Sequence, residues 1–232
     1  MKCGVVIFPG SNCDRDLIEV LKDTTGSPVT ELWHRDTDLQ GCTHIFLPGG
    51  FSYGDYLRSG AIAKLSPVMQ SVISHAANGG FVFGICNGFQ ILCESGLLPG
   101  ALLRNTSMKF SSKNVFLKPG NLHTAVTEGM AAETVLKVPI AHGEGRYYAD
   151  ETTLAHLEQN GQVVFRYCSE NGTLSDDANP NGSLNHIAGI CNSGFNVFGM
   201  MPHPERCAME YLHNTNGRAV FQAIVHSALT TV

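Results

Sequence analysis

Several features that would settle the chemistry of this chain at a glance are missing from it. No block of like charge interrupts its 232 residues, and the formal net charge is only −5. Neither a nucleic-acid surface nor an anionic-membrane patch is therefore indicated. No Gly-x-x-x-x-Gly-Lys-Ser/Thr loop occurs, and no Gly-x-Gly-x-x-Gly follows a strand pattern, which leaves no nucleotide site of a familiar type. The eight cysteines include no Cys-x-x-Cys pair and no histidine pair has zinc-ligand spacing, so no metal site is expected. Internal repeats and low-complexity tracts are absent. The apolar run at residues 1–8 stops at Pro9-Gly10, too short for a signal peptide or a membrane span. Reduced thiols in a cytoplasmic protein are the expectation.

What the chain does have is core. With 43% hydrophobic residues, residues 1–232 suit a single domain of the larger kind. Short apolar runs at residues 5–8, 29–33 and 44–47 read as strands. Leu17, Ile18, Val20 and Leu21 give an intervening helix its apolar face, with Ser11 or Asn12 as its cap. Ser66-Pro67 reads as an N-cap and first helical residue, opening a helix to about residue 77. Strands alternating with helices predict an α/β fold: a flavodoxin-like, mostly parallel sheet with helices on both faces. Alternating stretches between residues 102 and 148, such as 114–118 and 135–138, add antiparallel strands to one side. A helix at 151–159, a strand at 162–167, a hairpin around Asn192-Ser193-Gly194 and a C-terminal helix complete the reading. Residues 169–185, dense in Asn, Gly, Asp and Ser, form a long loop of the functional or mobile kind.

One stretch organises the rest. Phe81-Val82-Phe83-Gly84-Ile85 is a strand buried on both faces, and Phe89, Ile91 and Leu92 follow at helical spacing up to Gly96. Between them stands Cys86, with glycines two residues to either side. This is the geometry of a nucleophile elbow with cysteine in place of serine. The start of a helix favours a thiolate, and the Asn87 amide points where an oxyanion would form. A buried structural cysteine is the plainer alternative. A catalytic thiol needs a base and something to orient it. His203-Pro204-Glu205 follows a strand; if extended there, His203 and Glu205 project to one side, Glu205 bonding one imidazole nitrogen while the other faces Cys86. Pro48-Gly49-Gly50, at another strand end, offers the Gly50 amide as a second oxyanion donor. Gln90, on the first turn after the elbow, could reach a polar substrate. His142-Gly143-Glu144-Gly145-Arg146 could line a pocket or form a plain turn.

Taken together, Gly84-Ile85-Cys86-Asn87-Gly88-Phe89-Gln90, Pro202-His203-Pro204-Glu205 and Pro48-Gly49-Gly50 resemble the class I (triad) glutamine amidotransferases. Residues 8–14, 49–60, 139–146 and 179–183 are similar to those of one branch, the separate glutaminase subunits of phosphoribosylformylglycinamidine synthases in purine biosynthesis. The resemblance covers nearly the whole chain and implies the class I amidotransferase fold. It implies a thioester of glutamine on Cys86, proton transfer by His203, orientation by Glu205, oxyanion binding at Gly50 and Asn87, and contacts from Gln90 and His142 to L-glutamine. It further implies ammonia passed to a larger synthetase subunit that binds ATP and magnesium, and a small bridging subunit. No cofactor is expected in this chain, and residues 51–60 and 169–185 are the expected partner contacts. A stand-alone hydrolase or protein-repair enzyme with an elbow cysteine, other amidotransferases and a non-catalytic binding module remain as alternatives.

Overall fold

The apolar runs become strands and the amphipathic stretches become helices in the computed structural model, which describes residues 1–230. Strand β1 (Cys3–Ile7) leads to helix α1 (Asp14–Thr25), which buries Leu17, Ile18, Val20 and Leu21. Then come β2 (Thr30–Trp33), β3 (His44–Leu47), α2 (Pro67–Ala77), β4 (Phe81–Ile85) and α3 (Asn87–Glu94). The middle of the chain supplies β5 (Ala101–Leu103), β6 (Ser111–Pro119), β7 (Leu136–His142) and β8 (Arg146–Tyr148). The last part runs through α4 (Glu151–Gln159), β9 (Val163–Cys168), β10 (Ile187–Cys191), β11 (Val197–Met200) and α5 (Arg218–Thr230).

Among the described residues, nine strands form one sheet in the order β2-β1-β3-β4-β11-β10-β9-β6-β7, and β5 pairs with β8 separately. The first five run parallel and the other four antiparallel. The parallel half has the flavodoxin-like order. From β1 the chain steps one way along the sheet through α1, and from β3 it steps the other way through α2. Right-handed crossovers therefore set α1 and α2 on opposite faces. Strand β4, central and covered on both sides, is buried at all of its residues, which is why it reads as an unbroken apolar run.

Two details of the expected capping differ. The residue before α1 is Cys13, with no side-chain cap bond. The Ser11 hydroxyl is turned back to Phe8 O at 2.9 Å, closing the loop after β1. Ser66 does precede Pro67 at the start of α2, but its hydroxyl bonds the Tyr53 hydroxyl at 2.8 Å instead of the helix. At Ser11 a local carbonyl, and at Ser66 a hydroxyl from the loop after β3, outcompetes the helix amide.

The register fixes where the chemistry can sit. Leu47 of β3 pairs with Gly84 of β4, and Met200 of β11 pairs with Ile85. Three neighbouring parallel strands thus end at one level, at the carboxyl edge where ligands bind in such sheets. The antiparallel half coils back over this edge. His203 N donates to Pro139 O of β7 at 2.8 Å, although β7 stands at the far end of the strand order. Pro139 and Ala141 alternate along β7, so their carbonyls point from the edge that β6 does not pair. That edge meets the ends of β4 and β11.

Residues 169–185 are not the open loop that their composition suggests. Asn181 is fully buried, its amide donating to Gly145 O at 2.7 Å and to the Tyr167 hydroxyl at 3.3 Å. Ser183 Oγ accepts from Tyr147 N at 3.0 Å. The turn-forming residues 179–183 therefore brace the 142–146 loop from behind. Asn181→Ala removes a buried amide that donates to two groups, so we expect a loss on the order of 2–4 kcal/mol. Urea unfolding measures it, and an unchanged midpoint would mean the brace is dispensable.

Candidate active site

Cys86 sits between β4 and α3 with φ 50° and ψ −105°, outside the regions that L-residues favour. The strain is held in place from both sides. The Cys86 amide donates to Met200 O at 2.7 Å. The glycines flanking it are required by close approach: a Cβ on Gly84 would meet the Gly88 backbone at 2.6 Å, and one on Gly88 would run into the Leu47 carbonyl. Helix α3 then departs with Asn87 through Leu92 all buried. Its first amides have no partner within the helix.

Asn87 does more than offer its amide. Its side-chain nitrogen donates to Gln90 Oε1 at 2.9 Å and to Asp55 Oδ1 at 3.3 Å, and its oxygen accepts from Ser52 N at 3.2 Å. The elbow is thereby tied to the loop after β3. Gly50, in that loop, has φ 131° and packs so that a Cβ would lie 2.7 Å from Asn12 N. Only glycine fits there, and it lines the same cleft as Cys86.

The histidine and glutamate meet, but by a route other than an extended strand. Strand β11 ends at Met200, and Glu205 lies in a 3-10 turn, Pro204–Cys207, that His203 caps. Pro204 occupies the first position of that turn, where its fixed φ suits a helix start and its missing N–H costs nothing. The turn brings His203 Nδ1 to 2.5 Å from Glu205 Oε1, with both residues almost wholly buried. Burial by itself would discharge the imidazole. The Glu205 carboxylate, and after it the Cys86 thiol when ionised, outweigh burial and hold the His203 pKa well above its ordinary value. Nε2, the other ring nitrogen, is buried and takes no hydrogen bond within the described residues.

The opposite wall comes from the end of β7. Cys86 Sγ lies 3.8 Å from Ala141 O. Next to it, His142 is buried, with Nδ1 3.1 Å from Asn105 Oδ1. Asn105 Nδ2 donates to the carbonyls of Lys109 and His142, both at 2.9 Å, which fixes its oxygen toward the ring. His142 Nδ1 is then the donor and Nε2 an acceptor. Burial and the positive His203 push the His142 pKa down to about 4, so it stays neutral in ordinary conditions.

The space between these walls is a cleft of about 250 Å³, lined by Gly50, Asp55, Ser59, Cys86, Gln90, Arg104, Phe110, His142 and Glu144 among others. It is small against the ~300–1,000 Å³ of drug-sized pockets and has the scale of one amino acid. Gln90 lines it with both amide ends engaged, accepting from Asn87 and donating to Glu144 O at 2.6 Å. Every residue singled out from the sequence is therefore in or directly behind one cleft. Asp55, Ser59, Arg104 and Asn105 have no site role in the sequence reading, and Glu144 enters it only within the loop expected to line a pocket. Asp55 and Glu144 fall in glycine-rich loops after strands, where a charged residue is a usable signal. Arg104 and Asn105 follow β5 with no pattern around them. Burial, with Glu144 nearby, raises the Asp55 pKa to about 6. Arg104 Nε lies 3.6 Å from Glu144 Oε1, so one cation and two carboxylates share the cleft.

Comparisons with known proteins agree with this geometry. Residues 1–226 match the family described as CobB/CobQ-like glutamine amidotransferase domain. The phosphoribosylformylglycinamidine synthase subunit PurQ of Gloeobacter violaceus is 54% identical over 232 residues, all of both chains. That of Moorella thermoacetica is 54% identical, covering 97% of this chain and 95% of the relative. Among solved structures, a chain of PurLQS from Thermotoga maritima superposes with a TM-score of 0.85 at 42% identity, covering 98% of this chain and 100% of that one. Matched along nearly its whole length by that domain family and end to end by such relatives, the chain belongs to the glutamine amidotransferases, in the branch of the phosphoribosylformylglycinamidine synthase PurQ subunits.

Proposed function

We propose that this chain is the glutaminase subunit of a phosphoribosylformylglycinamidine synthase, with Cys86 as nucleophile, His203 as proton carrier and Glu205 as its orienting carboxylate. Cys86 Sγ attacks the side-chain carbonyl carbon of L-glutamine. The tetrahedral oxyanion accepts from the amides of Gly50 and Asn87. Protonated His203 gives its proton to the departing nitrogen, which leaves as ammonia while a glutamyl thioester remains on Cys86. Water then adds to the thioester with His203 taking its proton, and glutamate departs with the thiol restored. The observation that carries this reading is the His203–Glu205 bond of 2.5 Å beside an elbow cysteine on the adjoining strand end.

The charges of the cleft suit a free amino acid. The α-ammonium of glutamine meets Asp55 and Glu144, and its α-carboxylate meets Arg104. Neutral His142 offers Nε2 as an acceptor inside the cleft, and Gln90 acts by holding the Glu144 loop against the bound side chain. ATP and magnesium belong to the larger synthetase subunit, which consumes the ammonia to make formylglycinamidine ribonucleotide. A small bridging subunit completes the assembly, and the cytoplasm is its compartment. Among the described residues no helix is long and apolar enough to cross a membrane.

The partner's footprint on this reading is the rim of the cleft. Tyr56, Leu57, Leu65 and Met108 are strongly exposed, and Phe51 stacks on Phe110 with centroids 6.4 Å apart at the mouth. Exposed apolar side chains grouped in this way mark interaction surfaces.

Three outcomes follow. Glutamate release is abolished in Cys86→Ala and lowered on the order of 10²–10⁴-fold in Glu205→Gln, by analogy with loss of the orienting carboxylate in a serine triad. It rises in the wild type when synthetase, ATP and ribonucleotide are added; turnover indifferent to Cys86→Ala would sink the mechanism. Asp55→Asn raises KM about 10- to 100-fold, the loss of one charge-assisted contact. In the wild type kcat/KM falls as pH drops through about 6, where Asp55 takes up a proton and loses its charge, and Asp55→Asn flattens that limb. An unaltered acid limb in the variant would remove Asp55 from substrate binding. Hydrogen exchange in residues 51–60 slows when the synthetase is added, and unchanged exchange there would place the footprint elsewhere.

A further inference from the structure

Behind the catalytic imidazole lies a second thiol that the amidotransferase reaction does not use. Cys13, the residue before α1, is buried, and a Cβ added to Gly49 would lie 2.6 Å from His203 Cε1, 3.3 Å from Cys13 Sγ and 3.3 Å from Cys86 Cβ. The two cysteines therefore flank one edge of the same ring. Cys13 also converges with the triad carboxylate: ligand atoms of Cys13, His203 and Glu205 all lie within 4.8 Å of one another, and all three residues are buried.

Two atoms in this cluster lack partners. Glu205 spends Oε1 on His203, but its Oε2 is buried without a hydrogen bond among the described residues, and so is His203 Nε2. A buried carboxylate oxygen with no donor is costly, and natural interiors rarely leave one so. Together the cluster presents a thiol sulfur, an imidazole nitrogen and a carboxylate oxygen, which is a donor set for Zn²⁺ and its neighbours. Metal–ligand distances of about 2.0–2.3 Å put ligand atoms about 3.5 Å apart in a tetrahedral site. Closing from the present spacing takes about an ångström of side-chain movement, within the reach of a cysteine and a glutamate rotamer.

We propose that Cys13, His203 and Glu205 form an inhibitory site for a thiophilic divalent cation of the Zn²⁺ type. On binding, the Cys13 S–H bond breaks and the His203 ring nitrogen that takes the metal gives up its N–H; both protons go to solvent, metal–sulfur and metal–nitrogen bonds form, and no oxidation is involved. A metal on either nitrogen of His203 disables the triad. On Nδ1 it replaces the bond to Glu205, and on Nε2 it occupies the position that carries the proton. The ligands are protein groups, so the binding itself does not depend on the glutaminase reading; only its consequence does.

The test separates the two. Co²⁺ is added as probe to the full chain carrying Cys86→Ala, which removes the nucleophile thiol and leaves Cys13, the one thiol of the proposed donor set. We expect one Co²⁺ per chain, with a thiolate-to-cobalt charge-transfer band that disappears when Cys13→Ala is added. Should that double variant not fold, Cys13→Ser replaces it, since a serine oxygen gives no such band. In the intact complex, Zn²⁺ inhibits glutamate release, and Cys13→Ala or Cys13→Ser needs at least about tenfold more Zn²⁺ for the same fractional inhibition, the least that loss of a direct ligand costs. A band that survives loss of Cys13, a band absent from Cys86→Ala, or equal Zn²⁺ sensitivity in the Cys13 variants would overturn the site. A cobalt band in a protein without glutaminase activity would instead leave the site standing and remove the proposed function.

Discussion

A cysteine held at φ 50° and ψ −105° is the constraint on which this molecule depends. That backbone state costs on the order of 1–3 kcal/mol, and something must hold it. The holding force is the burial of α3, whose Phe89, Ile91 and Leu92 are wholly removed from solvent. Each such side chain contributes about 1.5–3 kcal/mol, so the helix outweighs the strain severalfold. The helix can approach so closely only because Gly84 and Gly88 carry no side chains. The cost and its compensation are thus adjacent in sequence, which is why a ten-residue stretch around Cys86 reveals the site.

Other parts are legible for the same reason, and the rest is hidden for the opposite one. The alternation of strand and helix up to α3 follows from local periodicity, and the elbow from its own glycines. The pairing of His203 with Glu205 was foreseeable from two residues separated by one proline, although the expected extended chain proved to be a 3-10 turn set by Pro204. What sequence could not yield is the coil of the antiparallel half, which brings Pro139 and Ala141 against His203 and Cys86. That contact joins the last strand of the sheet order to its central pair, β4 and β11, and no local pattern encodes it. Arg104 and Asn105 were missed because they act through that same long-range closure. Cys13 has no role in that reading because its neighbours are tertiary, and residues 179–183 carry the resemblance but not their bracing role, because a turn-rich composition conceals a buried Asn181.

The electrostatics divide the site into an inside and an outside. Inside, a buried carboxylate holds His203 ready to be positive. Removing either member alone would leave an uncompensated buried charge or an unheld ring, and breaking such pairs costs about 3–5 kcal/mol. Outside, Asp55 is pushed up to about 6 by burial first and by Glu144 as well, so two acids face the entrance with Arg104 beside them. On the proposed reading a neutral amide is admitted toward the cationic interior while an ammonium is retained at the acidic mouth. This asymmetry orients a zwitterionic amino acid with its side chain inward. A simple aliphatic amide would gain nothing from the mouth.

The rim cannot be separated from this recognition. Tyr53, Asp55 and Leu57 all hold positive φ, so the loop after β3 stores strain at alternate residues. Tyr56 and Leu57 project into solvent from it, while Asp55 immediately before them lines the cleft. Asn87 grips the same loop through Ser52 N and Asp55, and grips Gln90 through its amide. A partner that covers Tyr56 and Leu57 therefore acts on the very segment that carries the substrate's counter-charge and, one hydrogen bond further, on the residue whose amide faces the oxyanion. On the proposed reading docking and substrate binding share a strained loop, and two events that share one such element are thermodynamically coupled wherever they favour different shapes of it. Dependence of turnover on the synthetase then requires no remote pathway. It follows from Asp55 standing immediately before two exposed apolar side chains.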